Sequence, residues 1–169
     1  MANKATGTHT TNSGGGAVQI AGSAELHMHD GNPEISGNIA VFRGGGLRVR
    51  NGSSAQVTID NGTISGNEAQ DGGGISVEAG TLKLNGGQIS GNTCVSYGGG
   101  VFLSNMSSAA EIKEVIISDN TSNKHGGGVY LYSGTLNLTG GQIRGNVAVR
   151  NGSGTGFGGG IFTYDNTCF

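Results

Sequence analysis

The chain has little of several residues that other protein classes depend on. Of its 169 residues, one is proline, two are cysteine and none is tryptophan, and only 12% are charged. Two cysteines are too few for a disulfide scaffold. Nine lysines and arginines, in a chain with a net charge of -2, supply no basic surface for nucleic acid. No apolar run approaches the ~18 residues that cross a bilayer, so we expect no membrane insertion by this segment.

Helical periodicity is also missing, because no apolar pattern with a 3.6-residue period runs long enough for an amphipathic helix. What the chain has in excess is glycine, with 36 residues against an average of ~7%. Six Gly-Gly-Gly triplets end at Gly16, Gly46, Gly74, Gly100, Gly128 and Gly160. Their spacings of 30, 28, 26, 28 and 32 residues are typical of a repeat array. No Lys-Ser/Thr follows these glycines, so they do not match a phosphate-binding loop, and we expect no cofactor.

A second motif, Ile-x-Gly-Asn, occurs once in each repeat, as in Ile64-Ser65-Gly66-Asn67, with Asp119 in place of the glycine in one of them. Between the two motifs lie runs with a period of two, such as Leu82-Lys83-Leu84, which indicate short strands. Three short strands in about 28 residues cannot bury their own apolar faces, but stacked repeats can share one core. The sequence therefore predicts an all-β, right-handed parallel β-helix (β-solenoid) with three short strands per coil. We expect about five full coils plus partial end coils. The right-handed assignment follows from the strong preference of crossover connections between parallel strands for that hand.

Stacking turns equivalent positions into columns about 4.8 Å apart along the axis. Three inward columns are apolar throughout: Leu47, Ile75, Val101, Val129 and Ile161; Leu26, Val57, Leu82, Ala110 and Leu136; and Ile35, Ile64, Ile89, Ile117 and Ile143. Asparagine tolerates left-handed backbone, and its amide can bond the same residue one coil away. We therefore expect a structural ladder of Asn38, Asn67, Asn92, Asn120 and Asn146.

Aromatic residues gather on the outward face of the strand that follows each glycine triplet. The candidate binding residues there are Phe102, Tyr130, Phe162, Tyr132 and Tyr164, with Tyr97 and Phe157 on the same edge. We expect these side chains to be exposed, and exposed aromatic patches commonly mark binding surfaces. Two structural alternatives stay open: a neighbouring segment of the full protein covers this face, or the rings simply stack within the sheet.

The remaining candidate residues fit ordinary structural roles. His27 and His29 share an outward face and are weak metal candidates, but only Asp60 among the positions stacked on them could assist, so a solvated surface is the simpler interpretation. Arg50 and Glu78 are in register and predict a surface ion pair. Cys94 occupies a column of small residues and should be a buried, inert thiol. Cys168 lies too far along the axis to pair with Cys94, although pairing between molecules stays open.

We treat residues 1–169 as a single solenoid segment. Met1 stands where the end of an earlier repeat would be, and Gly160-Ile161-Phe162-Thr163-Tyr164 opens a further coil that is not completed. We therefore expect a segment cut from a longer array. Uncapped coils expose unpaired strand edges, which favours head-to-tail self-association.

The block from Ile64 to Ile75, which contains Ile64-Ser65-Gly66-Asn67 and Gly72-Gly73-Gly74-Ile75, resembles the FxxN and GGA[ILV] repeats of polymorphic outer-membrane proteins. The likeness recurs in every repeat, with Ile in place of Phe and Gly in place of Ala. The passenger domains of that family form right-handed β-helices and act as bacterial adhesins. The resemblance implies an extracellular or bacterial cell-surface location and an adhesive function.

We expect a non-catalytic surface module, an adhesin or structural stalk, whose partner is a glycan or a host or partner surface protein. Hydrolysis of a polysaccharide needs two carboxylates at a set separation, whereas the outward columns that contain Asp60 and Glu111 also contain Lys83 and Lys113. Two alternatives stay open: a self-associating scaffold or filament-forming segment, and a polysaccharide-active β-helix enzyme.

Overall fold

The computed structural model describes residues 4–5, 15–106, 109–149 and 156–165, with side chains from residue 15 onward. Within these ranges the chain forms twenty-two short strands and no helix. It therefore contains, in its described part, no helix long and apolar enough to cross a membrane. Every strand pair is parallel and joins equivalent strands of successive coils, so the molecule is a parallel β-solenoid of about five coils.

The strands form four sheets that run along the solenoid axis, named here in the order in which a coil visits them. Sheet 1 follows the glycine triplets and contains β2 (Val18–Ile20), β6 (Leu47–Val49), β10 (Ile75–Val77), β14 (Val101–Leu103), β18 (Val129–Leu131) and β22 (Ile161–Thr163). Sheet 2 contains β3 (Glu25–Met28), β7 (Gln56–Ile59), β11 (Thr81–Leu84), β15 (Ala110–Ile112) and β19 (Leu136–Leu138). Sheet 3 contains β4 (Glu34–Ser36), β8 (Thr63–Ser65), β12 (Gln88–Ser90), β16 (Ile116–Ser118) and β20 (Gln142–Arg144). Sheet 4 contains β1 (Lys4–Ala5), β5 (Ile39–Ala40), β9 (Glu68–Ala69), β13 (Thr93–Cys94), β17 (Thr121–Ser122) and β21 (Val147–Ala148).

The core lies between the sheets and includes the three predicted columns, together with further apolar residues of sheets 1 and 2 such as Val77, Leu84 and Leu103. Leu47, Ile75, Val101, Val129 and Ile161 pair in register along sheet 1, and the isoleucines of the Ile-x-Gly-Asn motif do the same along sheet 3. In the middle coils these side chains are almost completely buried. The alternation of apolar and polar residues therefore predicted both the register and the inward face correctly.

Sheet 4 is the main difference from the predicted architecture, which had three strands per coil. Its strands follow the ladder asparagine and contain only two residues each. Two residues are too few to show the period of two that identifies a strand in sequence. The buried member of each pair is small, as in Ala69, Cys94 and Ser122, because this corner of the coil lies against the glycine triplets.

The ladder asparagines connect every pair of successive coils. The backbone N–H and the Nδ2 amide of Asn67 both donate to Oδ1 of Asn92, at 2.9 and 3.0 Å. Asn92 donates in the same way to Asn120, and its Nδ2 also donates to the carbonyl of Ile64 at 3.0 Å. Asn38 and Asn146 form the first and last steps of the same ladder. Each inner asparagine thus uses both amide hydrogens and both lone pairs without contact with water.

The glycine triplets are required by close backbone approach and by left-handed φ. The first glycine of a triplet has positive φ, as at Gly72 with 62°, which L-residues with a side chain adopt at a cost. At the third glycine, a Cβ on Gly74 would lie 2.7 Å from the Gly100 carbonyl oxygen and 3.0 Å from Nδ2 of Asn92. Asp119, which replaces the glycine of Ile-x-Gly-Asn, has a φ of 57°, in agreement with the tolerance of Asp for this conformation.

The thiol of Cys94 is buried beneath sheet 4, as the sequence predicted. Burial raises the pKa of this thiol to about 12. Because the thiolate is the reactive form, the native protein holds Cys94 in an inert state. Cys168 lies outside the described residues.

We predict that Asn92→Ala strongly destabilises the fold. The change removes the acceptor of two Asn67 donors and the donor to the Ile64 carbonyl. Each buried donor or acceptor that is left without a partner costs ~1–3 kcal/mol. Urea denaturation should show a loss of unfolding free energy of at least ~3 kcal/mol. The matched control is Asn137→Ala, at an exposed asparagine of β19, which should change stability by less than ~0.5 kcal/mol. Equal effects of the two changes would contradict the ladder's role.

We also predict that the Cys94 thiol of a Cys168→Ser variant does not react with an aromatic disulfide reagent at pH 8 until the protein unfolds. The reason is its burial and its raised pKa. The absorbance of the released thiol, followed with and without urea, measures this. Rapid reaction of the folded protein would show that sheet 4 opens easily.

Candidate functional site

Three columns of side chains cover the outer face of sheet 1, and all three change from polar to aromatic along the axis. The edge column precedes the glycine triplets and contains Arg43, Asp71, Tyr97, His125 and Phe157. The central column contains Arg48, Ser76, Phe102, Tyr130 and Phe162. The outer column follows the strands and contains Arg50, Glu78, Ser104, Tyr132 and Tyr164. The backbone N–H of each of the last four donates to a carbonyl of the preceding coil, which keeps this column in register. The stacking register therefore brings residues about 28 positions apart into one surface.

The aromatic half of this surface consists of stacked rings. Phe102 and Tyr130 have centroids 5.6 Å apart and planes within 4° of each other, and Tyr130 stacks on Phe162 at 5.4 Å. In the outer column, Tyr132 and Tyr164 lie 5.3 Å apart at 11°. Such parallel, offset pairs stabilise the coils beyond the area that they bury.

The predicted exposure of the aromatic face is wrong for two of its members. Phe102 and Tyr130 are only 4% and 3% exposed, because the edge and outer columns cover the central one. Phe162 and Tyr97 are partly buried. Tyr132, Tyr164 and Phe157 are exposed, with 46%, 63% and 51% of their surface accessible. The rings that a ligand can reach are therefore chiefly the two of the outer column and Phe157 at the end of the edge column.

The polar half contains a buried charge cluster that the sequence pattern did not reveal. Arg43 donates from Nε to Oδ2 of Asp71 at 3.1 Å and from Nη1 to Oε2 of Glu78 at 2.8 Å. Arg48 donates from Nε to the other oxygen of Glu78 at 2.6 Å. The prediction that Glu78 forms an ion pair at the surface is wrong in its location, since Glu78 is buried, and Arg43 and Arg48 both donate to it.

Arg43 links the charge cluster to the aromatic rings. Its guanidinium carbon lies 4.9 Å from the centroid of Phe102 and 4.9 Å from that of Phe42, which are cation–π distances. Because it bonds both Asp71 and Glu78, the guanidinium lies across the coil between them, over the small and fully buried Ser76.

A groove of about 320 Å³ opens where the two halves meet. Its aromatic wall is formed by Tyr97, Phe102, Tyr130, Tyr132 and Tyr164. Its polar wall is formed by Arg43, Asp71, Ser104 and Asn105. We call this site the aromatic groove; a concave site with mostly aromatic walls and a few convergent polar groups is the usual form of a small-ligand site.

Asp71 is the unusual residue of the aromatic groove. It is only 7% exposed, and its Oδ1 accepts no hydrogen bond from the described residues. Burial raises the pKa of the Asp71 carboxyl, against the opposing effects of Arg43 and of the nearby Tyr97 backbone N–H. Burial likewise raises the pKa of the Tyr130 hydroxyl to about 12. The carboxyl of Asp71 therefore lines the groove beside the phenol rings and has one oxygen that accepts no hydrogen bond from the described residues.

The two candidate histidines lie elsewhere, on sheet 2. Nε2 of His27 bonds Oδ2 of Asp60, and Nδ1 of His29 lies 3.0 Å from Oδ2 of Asp30. Asp60 also accepts from Nδ2 of Asn85, and these bonds lower its pKa. Both histidines and both aspartates are on the exposed surface. In the described part of the chain, no cluster of three or more His, Cys, Asp or Glu side chains has the arrangement of a metal site.

The aromatic wall was predictable from the sequence, whereas the polar wall was not recognised. The available signal was that Arg43 and Asp71 occupy the same position before successive glycine triplets, beside a column that contains Arg48 and Ser76. The informative pattern was two arginines on one coil followed by two carboxylates on the same face of the next coil, because an arginine side chain is long enough to reach a carboxylate one coil away.

Fold and surface together define a solenoid repeat protein with a ligand-sized groove on one outer face. The family profile described as right handed beta helix region matches residues 2–168. The chain therefore belongs to the right-handed β-helix family, and its coils are right-handed as predicted. Neither the curated proteins nor the solved structures contain a significant match. Because the family includes both enzymes and adhesins, membership establishes the fold and leaves the activity to be argued from the groove.

We predict that Arg43→Ala destabilises the protein by ~3 kcal/mol, because it leaves the buried Asp71 without its arginine and Glu78 with one of its two. Lys83→Ala, at an exposed lysine of β11, removes the same charge from the surface and should have an effect below ~0.5 kcal/mol. Urea denaturation of both variants measures the difference. Similar stability of the two variants would mean that the charge cluster does not hold the polar half together.

Proposed function

We propose that this chain is a non-catalytic carbohydrate-binding module of a bacterial surface protein, with the aromatic groove as its site. A sugar ring has apolar C–H faces and a polar edge of hydroxyls. It therefore fits a site in which flat aromatic rings adjoin hydrogen-bonding groups. The aromatic groove combines these two kinds of wall within about 320 Å³, a volume suited to one or two sugar rings.

The observation that carries the proposal is the exposed tyrosine pair beside Asp71. Tyr132 and Tyr164 are stacked, and about half or more of each side chain is accessible, so together they line the groove with a rigid aromatic surface. Stacking holds the rings in place before a ligand arrives, which lowers the entropy cost of binding. Tyrosine also supplies a hydroxyl at the ring edge for polar contact.

The polar wall favours binding over hydrolysis. Glycosidases use two carboxyl groups placed on either side of the scissile bond. Among the described residues that line the aromatic groove, Asp71 is the one carboxylic acid. Glu78 is buried, does not line the groove, and has one oxygen bound by Arg43 and the other by Arg48.

The setting that we propose is the outside of a bacterial cell. The repeat motifs resemble those of surface adhesins, and a rigid solenoid presents its outer face over its whole length. In that setting the chain acts as an adhesive stalk, and the partner of the aromatic groove is a glycan on a cell, on matrix or on another surface protein.

We predict that Tyr132→Ala combined with Tyr164→Ala abolishes carbohydrate binding and preserves the fold. Both side chains lie largely outside the core, so far-ultraviolet circular dichroism should be unchanged. A glycan array followed by calorimetry with the retained sugars should show a loss of affinity of at least ~tenfold, equivalent to ~1.4 kcal/mol.

The matched control is Phe157→Ala, which removes an equally exposed ring that does not line the aromatic groove. It should bind sugars as the unaltered chain does. Failure of the unaltered chain to retain any sugar would contradict the proposed function, and equal loss in the control would place the site elsewhere on the aromatic face.

A further inference from the structure

The four charges of the buried cluster beside the aromatic groove balance one another. Arg43 and Arg48 face Asp71 and Glu78, and each arginine donates to at least one of the two carboxylates. The guanidinium of Arg43, which lines the groove, is further held against the rings of Phe42 and Phe102. These four charges cancel one another, and the exposed Lys124, whose Nζ lies 5.2 Å from the centroid of the Tyr97 ring, adds a positive charge beside the aromatic wall.

The polar atom that still requires a partner is Oδ1 of Asp71. It is buried, it belongs to a side chain that lines the groove, and no described residue donates to it. Oδ2 of the same carboxyl accepts from Arg43, so the orientation of the carboxyl is set. A buried acceptor without a donor is costly, and a ligand that brings a hydroxyl to this atom removes that cost.

We propose that Asp71 makes the aromatic groove selective for uncharged, hydroxyl-rich sugars and excludes sugars that carry a carboxylate. This inference rests on the proposed carbohydrate-binding function and names the class of carbohydrate. A neutral sugar donates a hydroxyl to Oδ1 while its ring packs on Tyr132 and Tyr164. A uronic acid bound in the same position places its carboxylate near that of Asp71, and repulsion between like charges is strong where water is excluded.

The experiment compares oligosaccharides that differ only at C6. Calorimetry is carried out with cellohexaose, mannohexaose and galactohexaose, and with the same three sugars after oxidation of their C6 hydroxymethyl groups to carboxylates. A third set carries the methyl esters of those carboxylates. The unaltered protein should bind the preferred neutral sugar at least ~tenfold more tightly than its oxidised form. The methyl ester, which has the shape of the acid without its charge, should bind within ~threefold of the neutral sugar.

Asp71→Asn identifies the responsible residue. Arg43 Nε needs an acceptor, so the asparagine must present its oxygen to Arg43 and its amide N–H to the groove. This change converts the acceptor into a donor, and the preference for neutral over oxidised sugar should fall below ~threefold. Asp60→Asn makes the same chemical change at an exposed aspartate of sheet 2 and should leave the preference unaltered.

Three results would overturn the inference. Equal affinity of the unaltered protein for neutral and oxidised sugars would show that the groove does not discriminate by charge. Weak binding of the methyl ester would show that size, and not charge, excludes the oxidised sugar. This comparison uses only the unaltered protein, so it does not depend on the folding of a variant. Persistence of the preference in a folded Asp71→Asn variant would assign it to another residue. If none of the sugars binds, the proposed function fails as well, whereas binding without discrimination leaves that function intact.

Discussion

The structure depends on one constraint: successive coils must stack in register. Parallel backbone bonds repeat this register in four sheets, and the buried asparagine ladder enforces it at one corner of every coil. A slip of one residue would turn each apolar column toward water and would separate each asparagine from its partner. Glycine at the neighbouring corner is part of the same constraint, because the coils approach too closely there for a side chain.

The candidate site is a product of this register. Arg43, Asp71, Tyr97 and Tyr132 lie far apart in sequence and on different coils, yet the repeat places them around one opening. A uniform solenoid would have uniform columns and no groove. Here the outer columns change from charged to aromatic in the middle of the chain, and the small Ser76 leaves room for an arginine to cross between coils. The groove lies at that change of composition.

The period of the glycine triplets and the alternation of apolar residues were sufficient to predict the solenoid, its inward columns and the asparagine ladder. They could not reveal sheet 4, whose strands are two residues long. They also could not predict the burial of Phe102 and Tyr130, because outward-facing residues are normally exposed. These two rings are covered by side chains from adjacent columns, such as that of Arg43 over Phe102. The repeat period predicts which residues share a column but not which neighbouring column a long side chain will cover. The same limit is the reason why the contacts of Glu78 with Arg43 and Arg48 were not predicted.

The most direct test of the aromatic groove as a sugar site is a crystal structure of the protein with the neutral oligosaccharide that binds it most tightly. We expect a sugar ring packed on Tyr132 and Tyr164, with one hydroxyl within hydrogen-bond distance of Oδ1 of Asp71 and with Arg43 still bound to Asp71 and Glu78. A sugar bound on another sheet, or one seated on the tyrosines with no donor directed at Asp71, would contradict this expectation.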